Sequence, residues 1–348
     1  MNATTQKEPP RPLGVIGCLM AGFDLVSRRL GLIALPVLLD MFLWMGPRLS
    51  VAPLLRGFVA FLRTRPAPDS ATARQLAEAT GYLEQISEHV NLLALLSRLP
   101  LLNVPSLLAW RMPTSPLGEP REILITGLLS LVGWGILLIP VGLVLGFLYL
   151  NGLARHVRDV RSSDKREPAP DKAQVERSGL WKFVRVLLFA AGLLAAGAMI
   201  TPPWLLLVGL VEALTPGLGF WLLIFSLGLA AYLGMHLLFV IPGVMVGGRG
   251  LWRATWESIG LMHTQLFSVM GLLVLTAVIY GGLSYVWLLP PTDSWTLLVG
   301  IVGNGCIATG LTAAGFVFYR ERIGQFTAAI ETAAKSGVKD GQEERPNS

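Results

Sequence analysis

The chain has 348 residues, 53% of them hydrophobic and 14% charged, with a formal net charge of +6 and a mean hydropathy of +0.60. A bilayer core about 30 Å thick needs about 20 apolar residues per helix, and runs of that length recur here, which excludes an ordinary soluble domain. The basic balance does not imply nucleic acid, because Lys and Arg collect at cytoplasmic ends of membrane helices and meet anionic lipid heads; two distant cysteines, Cys18 and Cys306, exclude a disulfide framework and a cysteine-only zinc site.

Residues 1–12 are polar, carry Pro9, Pro10 and Pro12, and read as a disordered leader. Val15-Ile16-Gly17-Cys18 has the letters of a lipoprotein cleavage box, but the apolar run before it is far too short for a signal peptide. Residues 13–29 are amphipathic: Ile16, Leu19, Met20, Phe23 and Val26 fall at helical spacing opposite Gly17, Ala21, Asp24 and Arg28. That pattern predicts a helix lying in the membrane interface. Arg28 and Arg29 then mark the edge of a first span, about 30–45.

Residues 47–120 form the largest non-spanning segment, expected outside the membrane as helical structure. A basic amphipathic piece around Leu54–Arg65 precedes a turn at Pro66–Ser70, and Ala71–Leu96 reads as a helix. Val90–Trp110 is leucine-rich but broken by Arg98, Pro100 and Pro105, which fits an interfacial or bundle-packed stretch; a seventh span is the alternative. The second span, about 123–150, carries Pro140 and the close-packing spacing Gly142-x-x-x-Gly146. A charged linker follows over 154–182, with Pro168 and Pro170. Span three covers about 183–210, interrupted by Pro202-Pro203, and span four about 218–246. An amphipathic helix over Leu251–Leu266 leads into span five, about 267–289. The turn Pro290–Asp293 leads into span six, about 295–319, which continues as a surface helix. The membrane domain is thus 13–335, and 336–348 form a polar, disordered tail.

Nine Lys or Arg fall between Arg155 and Arg185; Arg249 and Arg253 follow span four, and Arg320 and Arg322 end span six. The turns between spans three and four and between five and six contain only Glu212 and Asp293 as charges. Both termini are therefore expected in the cytoplasm of a bacterial cell, with the protein in the inner membrane. Arg48 and Arg121 dissent, but they flank a long segment, and long loops translocate largely regardless of charge. A weak echo links Gly17–Leu35 with Arg253–Gly271: each is an amphipathic helix leading into a span. It reads as a duplicated unit or as two uses of one interfacial motif.

Polar groups inside the spans are few. Asp40 lies well inside span one, where a charge costs about 2.5–3.5 kcal/mol. It is either an ion or proton site, or a residue near the outer interface bonded to a neighbouring helix. His236, beside Tyr232 in span four, either relays protons or is a satisfied structural histidine. Asn304 sits among Gly300, Gly303, Gly305 and Gly310 in span six, a pattern for close helix packing or for a pore-lining helix. Asp40 and His236 have few polar neighbours in sequence, so neutral substitution at either is expected to be tolerated. Glu257 and His263, on the helix before span five, are expected to be satisfied by solvent and lipid heads. The four histidines make no metal-binding spacing, Gly247-Gly248-Arg249-Gly250 lacks the context of a phosphate loop, and no Gly-x-Ser-x-Gly elbow occurs. No catalytic residue, cofactor or metal is expected.

The passage Phe239-Val240-Ile241-Pro242-Gly243 through Trp252-Arg253-Ala254-Thr255-Trp256-Glu257-Ser258, with the amphipathic start Leu13–Leu39, resembles a family of uncharacterised bacterial six-helix membrane proteins. That family includes the membrane domain fused to some glycerophosphodiester phosphodiesterases. Ala254 and Ser258 match its Ala-x-x-x-Ser pattern. The resemblance implies a six-helix membrane domain and no activity, since the soluble phosphodiesterase barrel and its acidic and histidine motifs are absent from this sequence.

The expectation is an all-α polytopic bundle of about six transmembrane helices with interfacial amphipathic helices. Its partners are membrane lipids and, as a further possibility, other membrane proteins. The first functional reading is a non-enzymatic accessory or organising component; the alternative is a small-molecule or lipid permease or permease subunit. A permease would need a hydrated cavity lined by Asp40, His236 or Asn304, whereas an accessory protein would have a packed core.

Overall fold

The computed structural model describes residues 13–64, 70–87, 89–99, 102–109, 111, 113–162 and 172–343, without the side chains of 71, 72, 75, 159–162, 172–178 and 325–343. The leader, the turn at 66–69, the middle of the charged linker and residues 344–348 lie outside the described residues. The chain is an all-α bundle with one small two-stranded sheet. Among the described residues five helices are long and apolar enough to cross a membrane: Leu128–Arg158, Gly179–Leu214, Leu218–Met245, Leu266–Trp287 and Leu297–Gly324. The first expected span is present as a shorter apolar stretch, Leu30–Met45.

The amino-terminal stretch departs from expectation. Helix α1 (Val15–Arg28), a 3-10 turn (Leu30–Ile33) and α2 (Ala34–Met45) run antiparallel along the last helix of the chain, Leu297–Glu343. Cys18 lies within electrostatic reach of Glu321 and Arg322, Gly22 abuts Gly310 and Ala314, Val37 touches Gly305, and Trp44 meets Trp295. Thus α1 packs lengthwise on the bundle instead of lying flat at an interface. The physical reason is small residues on both partners. A Cβ on Gly22 would sit 2.6 Å from the Ala314 nitrogen, so only glycine lets the two backbones approach this closely. Burial of Cys18, Leu19, Leu25 and Val26 follows from that approach.

Residues 47–124 close on themselves. Strands β1 (Arg48–Ser50) and β2 (Glu122–Leu124) pair in parallel, with Arg48 opposite Glu122 and Ser50 opposite Leu124. Asn91 locks the sheet to the following turn, its side-chain oxygen accepting from the Leu49 and Leu93 N–H groups, each at 3.1 Å. Between the strands come α3 (Ala52–Arg63), α4 (Ser70–Ser87) and a 3-10 turn (Leu92–Leu96). The helix expected over Ala71–Leu96 ends at Ser87, after which the chain turns inward. There the leucine-rich stretch is packed on the bundle, one of the two placements expected of it, and forms no span: Leu93, Leu96, Leu99, Leu102, Leu107 and Leu108 are buried in the 3-10 turn and the irregular chain after it, which wedge into the bundle.

That wedge rests on α5 (Leu128–Ser162). Gly142 and Gly146, read from spacing as a helix-packing pair, instead receive backbone. A Cβ on Gly142 would come 3.0 Å from the Leu95 carbonyl oxygen, and one on Gly146 would collide with the Leu102 carbonyl. Helix α5 and α6 (Lys172–Leu214) each continue into the region assigned to the charged linker, and α6 runs through Pro202-Pro203 where an interruption was expected. In lipid the backbone has no other hydrogen-bond partner, so continuing the helix costs less than unravelling it. Helix α7 (Leu218–Leu237) pairs with α6 in a hairpin whose side chains are mostly exposed, as for helices hydrophobic all round and facing lipid.

The remaining elements are α8 (Val240–Met245), α9 (Leu251–Thr264), α10 (Leu266–Trp287) and α11 (Leu297–Glu343). Helix α11 is the centre of the bundle. Its glycines admit Trp287 at Gly303 and Phe23 at Gly310, so the small-residue pattern there serves close packing. Helix α11 also extends to Glu343, through much of the tail expected to be disordered. At the opposite end the Trp44 indole donates to the carbonyls of Thr114, 3.1 Å away, and Thr292, 2.8 Å away, which ties α2 to the α10–α11 turn.

Candidate functional site

Asp40 has more partners than its sequence neighbours suggested. It is 1% exposed, and its carboxylate accepts from the Ser106 hydroxyl and from the backbone N–H groups of Leu107, 2.8 Å away, and Leu108, 3.2 Å away. The Ser106 hydroxyl in turn accepts from the Ala109 N–H at 3.0 Å. Pro105 and the irregular chain around it cannot satisfy these donors within a helix, so a carboxylate from α2 does it instead. Asp40 is therefore an anchor for the buried wedge, and both its oxygens are engaged.

The anchored wedge forms one wall of a cavity of about 620 Å³. Ser97, Arg98, Asn103 and Ser106 line that wall; Thr276 and Tyr280 of α10 and Thr312 of α11 line the other. Polar groups continue behind it. The Tyr280 hydroxyl faces Ser284 and Asn304, within electrostatic reach of Asp40, and the Tyr149 hydroxyl donates to the Thr309 hydroxyl at 3.2 Å. Asn304 is 1% exposed, and its amide nitrogen has no hydrogen-bond partner among the described residues. A second cavity, about 610 Å³ and almost wholly apolar, lies between α2 and α5, lined by Leu35, Leu38, Leu39, Phe42, Leu145 and Leu148. Leu96 lines the apolar cavity and Ser97 the polar one, so a single turn of chain separates them.

The structure thus brings Asp40 and Asn304 to the same region, on either side of Tyr280, while His236 stands elsewhere with different partners. The His236 Nδ1 donates to the Tyr232 carbonyl at 2.9 Å, and its ring lies 5.3 Å from that of His263. The break after α7 explains the rest. Pro242 cannot donate a backbone hydrogen bond, and the helix gives way at Leu238-Phe239. Ser258 on α9 bridges the gap: its hydroxyl donates to the His236 carbonyl at 2.6 Å and accepts from the Phe239 N–H at 3.2 Å. Four residues earlier, Ala254 packs against Gly243, which also faces the Tyr319 hydroxyl. Both positions of the Ala-x-x-x-Ser pattern are therefore structural. Replacing Ser258 by Ala leaves two buried backbone groups unsatisfied and is expected to cost about 1–3 kcal/mol. The loss should appear as a lower melting temperature in detergent. Thr264→Ala, at the exposed end of α9 where the hydroxyl only caps its own helix, is the matched control and should change little.

Glu257 also departs from expectation. It is 9% exposed, pairs with Arg253 at 2.9 Å and Arg249 at 3.5 Å, and accepts from the Tyr319 hydroxyl at 3.2 Å. Protein groups, rather than solvent and lipid heads, satisfy it. On the outer side of the same helix Trp252 and Trp256 are exposed and meet edge to face, with ring centroids 5.7 Å apart.

Among the described residues no group of three or more His, Cys, Asp or Glu side chains could hold a metal ion. Sequence reasoning missed the cavity because its lining comes from three distant segments. One signal was available: Arg98 is a cation inside a leucine-rich run, and such residues mark functional positions when they fall at membrane depth. Comparison with protein families, with curated proteins and with solved structures finds no match.

Proposed function

We propose that this protein is a multi-pass, non-enzymatic component of the bacterial inner membrane that holds a lipid-like amphiphile, its head between the buried wedge and helices α10 and α11 and its chain between α2 and α5. The observation that carries the reading is the pairing of a polar cavity beside Arg98 with an apolar cavity one turn of chain away. An amphiphile needs both: hydrogen-bond donors and a cation for its head, and an apolar groove for its chain. A role without chemistry is supported by the engagement of Asp40 with the wedge and of Glu257 with two arginines, which leaves neither poised as a general base. The concentration of Lys and Arg between spans two and three supports cytoplasmic termini. Kinship with the six-helix membrane family is part of the same proposal, supported by the matching Ala254 and Ser258.

A lipid or small-molecule permease is the second reading, favoured by the polar groups that continue from Tyr280 to Asn304. Lipid retained by the full chain in neutral detergent, extracted and identified by mass spectrometry, tests the first. The wild type should carry an amphiphile near one per chain. Arg98→Gln, which removes the charge, and Thr276→Trp, which fills the cavity, should each lower retention about tenfold, a loss of about 1.4 kcal/mol. Equal retention in all three proteins rejects the site. Retention that falls together with measurable flux of the same compound in proteoliposomes selects the permease.

A further inference from the structure

Helix α10 faces α11 with a row of polar side chains that the cavity uses only in part. Thr276, Tyr280, Ser284 and Trp287 fall on one face of α10. The two helices run antiparallel in a register fixed by contact. Thr276 and Tyr280 share the walls of the polar cavity with Ala308, Leu311 and Thr312. At the end of α10 the Trp287 carbonyl presses on Gly300 and its indole on Gly303. Ser284 therefore stands at the level of Asn304, and both lie about the Tyr280 hydroxyl. Beyond Trp287 the row reaches the α10–α11 turn, where the Thr292 and Thr114 hydroxyls meet at 2.8 Å in an exposed position.

Three donors in this row have no acceptor among the described residues: the Ser284 hydroxyl, the Trp287 Nε1–H and the Asn304 amide. All three atoms are buried. Desolvated donors without acceptors oppose the packing that encloses them, so three in one seam favour its opening. Helix α10 is built to permit that. Its buried residues, Val269 and Leu272, both fall in its first two turns, and none falls from Leu273 to Trp287. Gly281 and Gly282 come just before Ser284, where paired glycines weaken a helix. An added Cβ on either would meet nothing within 4 Å, so close packing does not require them. The bond from the Trp44 indole to the Thr292 carbonyl holds the turn, so α10 bows rather than swings away. We propose that α10 is the gate of a polar passage: bending at Gly281-Gly282 parts Ser284 and Trp287 from Asn304 and opens the polar cavity to the α10–α11 turn. Water enters the open seam and supplies the missing acceptors. The passage takes water and small hydrogen-bonding solutes, and it does not depend on an amphiphile in the cavity beside Arg98.

Thiol accessibility in proteoliposomes tests the gate, on the full chain freed of its own cysteines by Cys18→Ala and Cys306→Ser. A charged, membrane-impermeant methanethiosulfonate should modify Ser284→Cys about tenfold faster than Val278→Cys, because a thiol in apolar surroundings stays protonated and unreactive. Val278 is exposed on the opposite face of the same helix, toward lipid. Gly281→Ala with Gly282→Ala should leave the melting temperature unchanged or higher, since neither methyl meets an atom. The same pair should slow modification of Ser284→Cys about tenfold, because alanine stiffens the helix. Asn304→Leu removes one orphaned donor at similar volume, so it should slow modification in the same direction. Modification of Ser284→Cys no faster than of Val278→Cys shows a dry seam and overturns the proposal. A rate unchanged by the paired alanines, in a chain that still folds, overturns the gate at Gly281-Gly282. Amphiphile retention is read on other variants, so that reading and this one fail separately.

Discussion

Asp40→Asn is expected to destabilise the protein by about 1–3 kcal/mol and to loosen the wedge that walls the polar cavity. The carboxylate accepts three hydrogen bonds, two on one oxygen from Ser106 and Leu108 and one on the other from Leu107. An asparagine keeps one accepting oxygen. Whichever way its amide turns, an NH2 group must face a donor, so at least one buried N–H or hydroxyl loses its partner. Removing the charge gains back part of the insertion cost, which is why the sequence alone suggested tolerance. The geometry reverses that expectation, because the lost acceptor belongs to a fully buried segment. Unfolding in detergent and limited proteolysis near residues 97–109 measure it. A melting temperature equal to wild type, with no new cleavage, shows that the wedge is not anchored by Asp40.

Gly146→Ala is expected to have the largest effect of any single methyl group added to α5. The new Cβ falls on the Leu102 carbonyl, and backbone cannot rotate away as a side chain can. Either the wedge lifts from α5 or the helix bends, at a cost of about 1–3 kcal/mol or more. Gly152→Ala is the control on the same helix. Nothing lies within 4 Å of its added Cβ, and alanine favours a helix over glycine by about 1 kcal/mol, so this variant should be neutral or stabilised. A shared outcome for the two variants contradicts the packing of the wedge on α5. A lower melting temperature for Gly146→Ala alone, together with reduced amphiphile retention, links that packing to the cavity.

The two variants also mark where sequence reasoning succeeds and stops. Long apolar runs gave the bundle and five of its membrane-length helices, because that signal is local and additive along each helix. The role of α1 was not legible. Its amphipathic pattern fits an interface as well as a small-residue seam, and only the match of Gly22 to Gly310 and Ala314 decides between them. Gly142 and Gly146 announced a close approach but not its partner, which is irregular chain well upstream, at Leu95 and Leu102. The two three-residue strands have no periodicity to read, and their pairing joins Arg48 to the distant Glu122. Asp40 drew notice as a charge inside a span, yet its partners lie 66 to 68 residues later, in a stretch without regular structure. His236 and Asn304 likewise announced polar groups at depth, and nothing in their spacing separated the histidine at the α7 break from the asparagine behind Tyr280.

Density for the full chain in a lipid nanodisc, at a resolution that separates side chains, tests the central claim most directly. The account predicts an elongated feature whose polar end lies beside Arg98, Asn103 and Tyr280 and whose apolar end runs along Leu35, Leu38 and Leu145. A cavity filled by side chains, or by water with no continuous density toward α2 and α5, contradicts it.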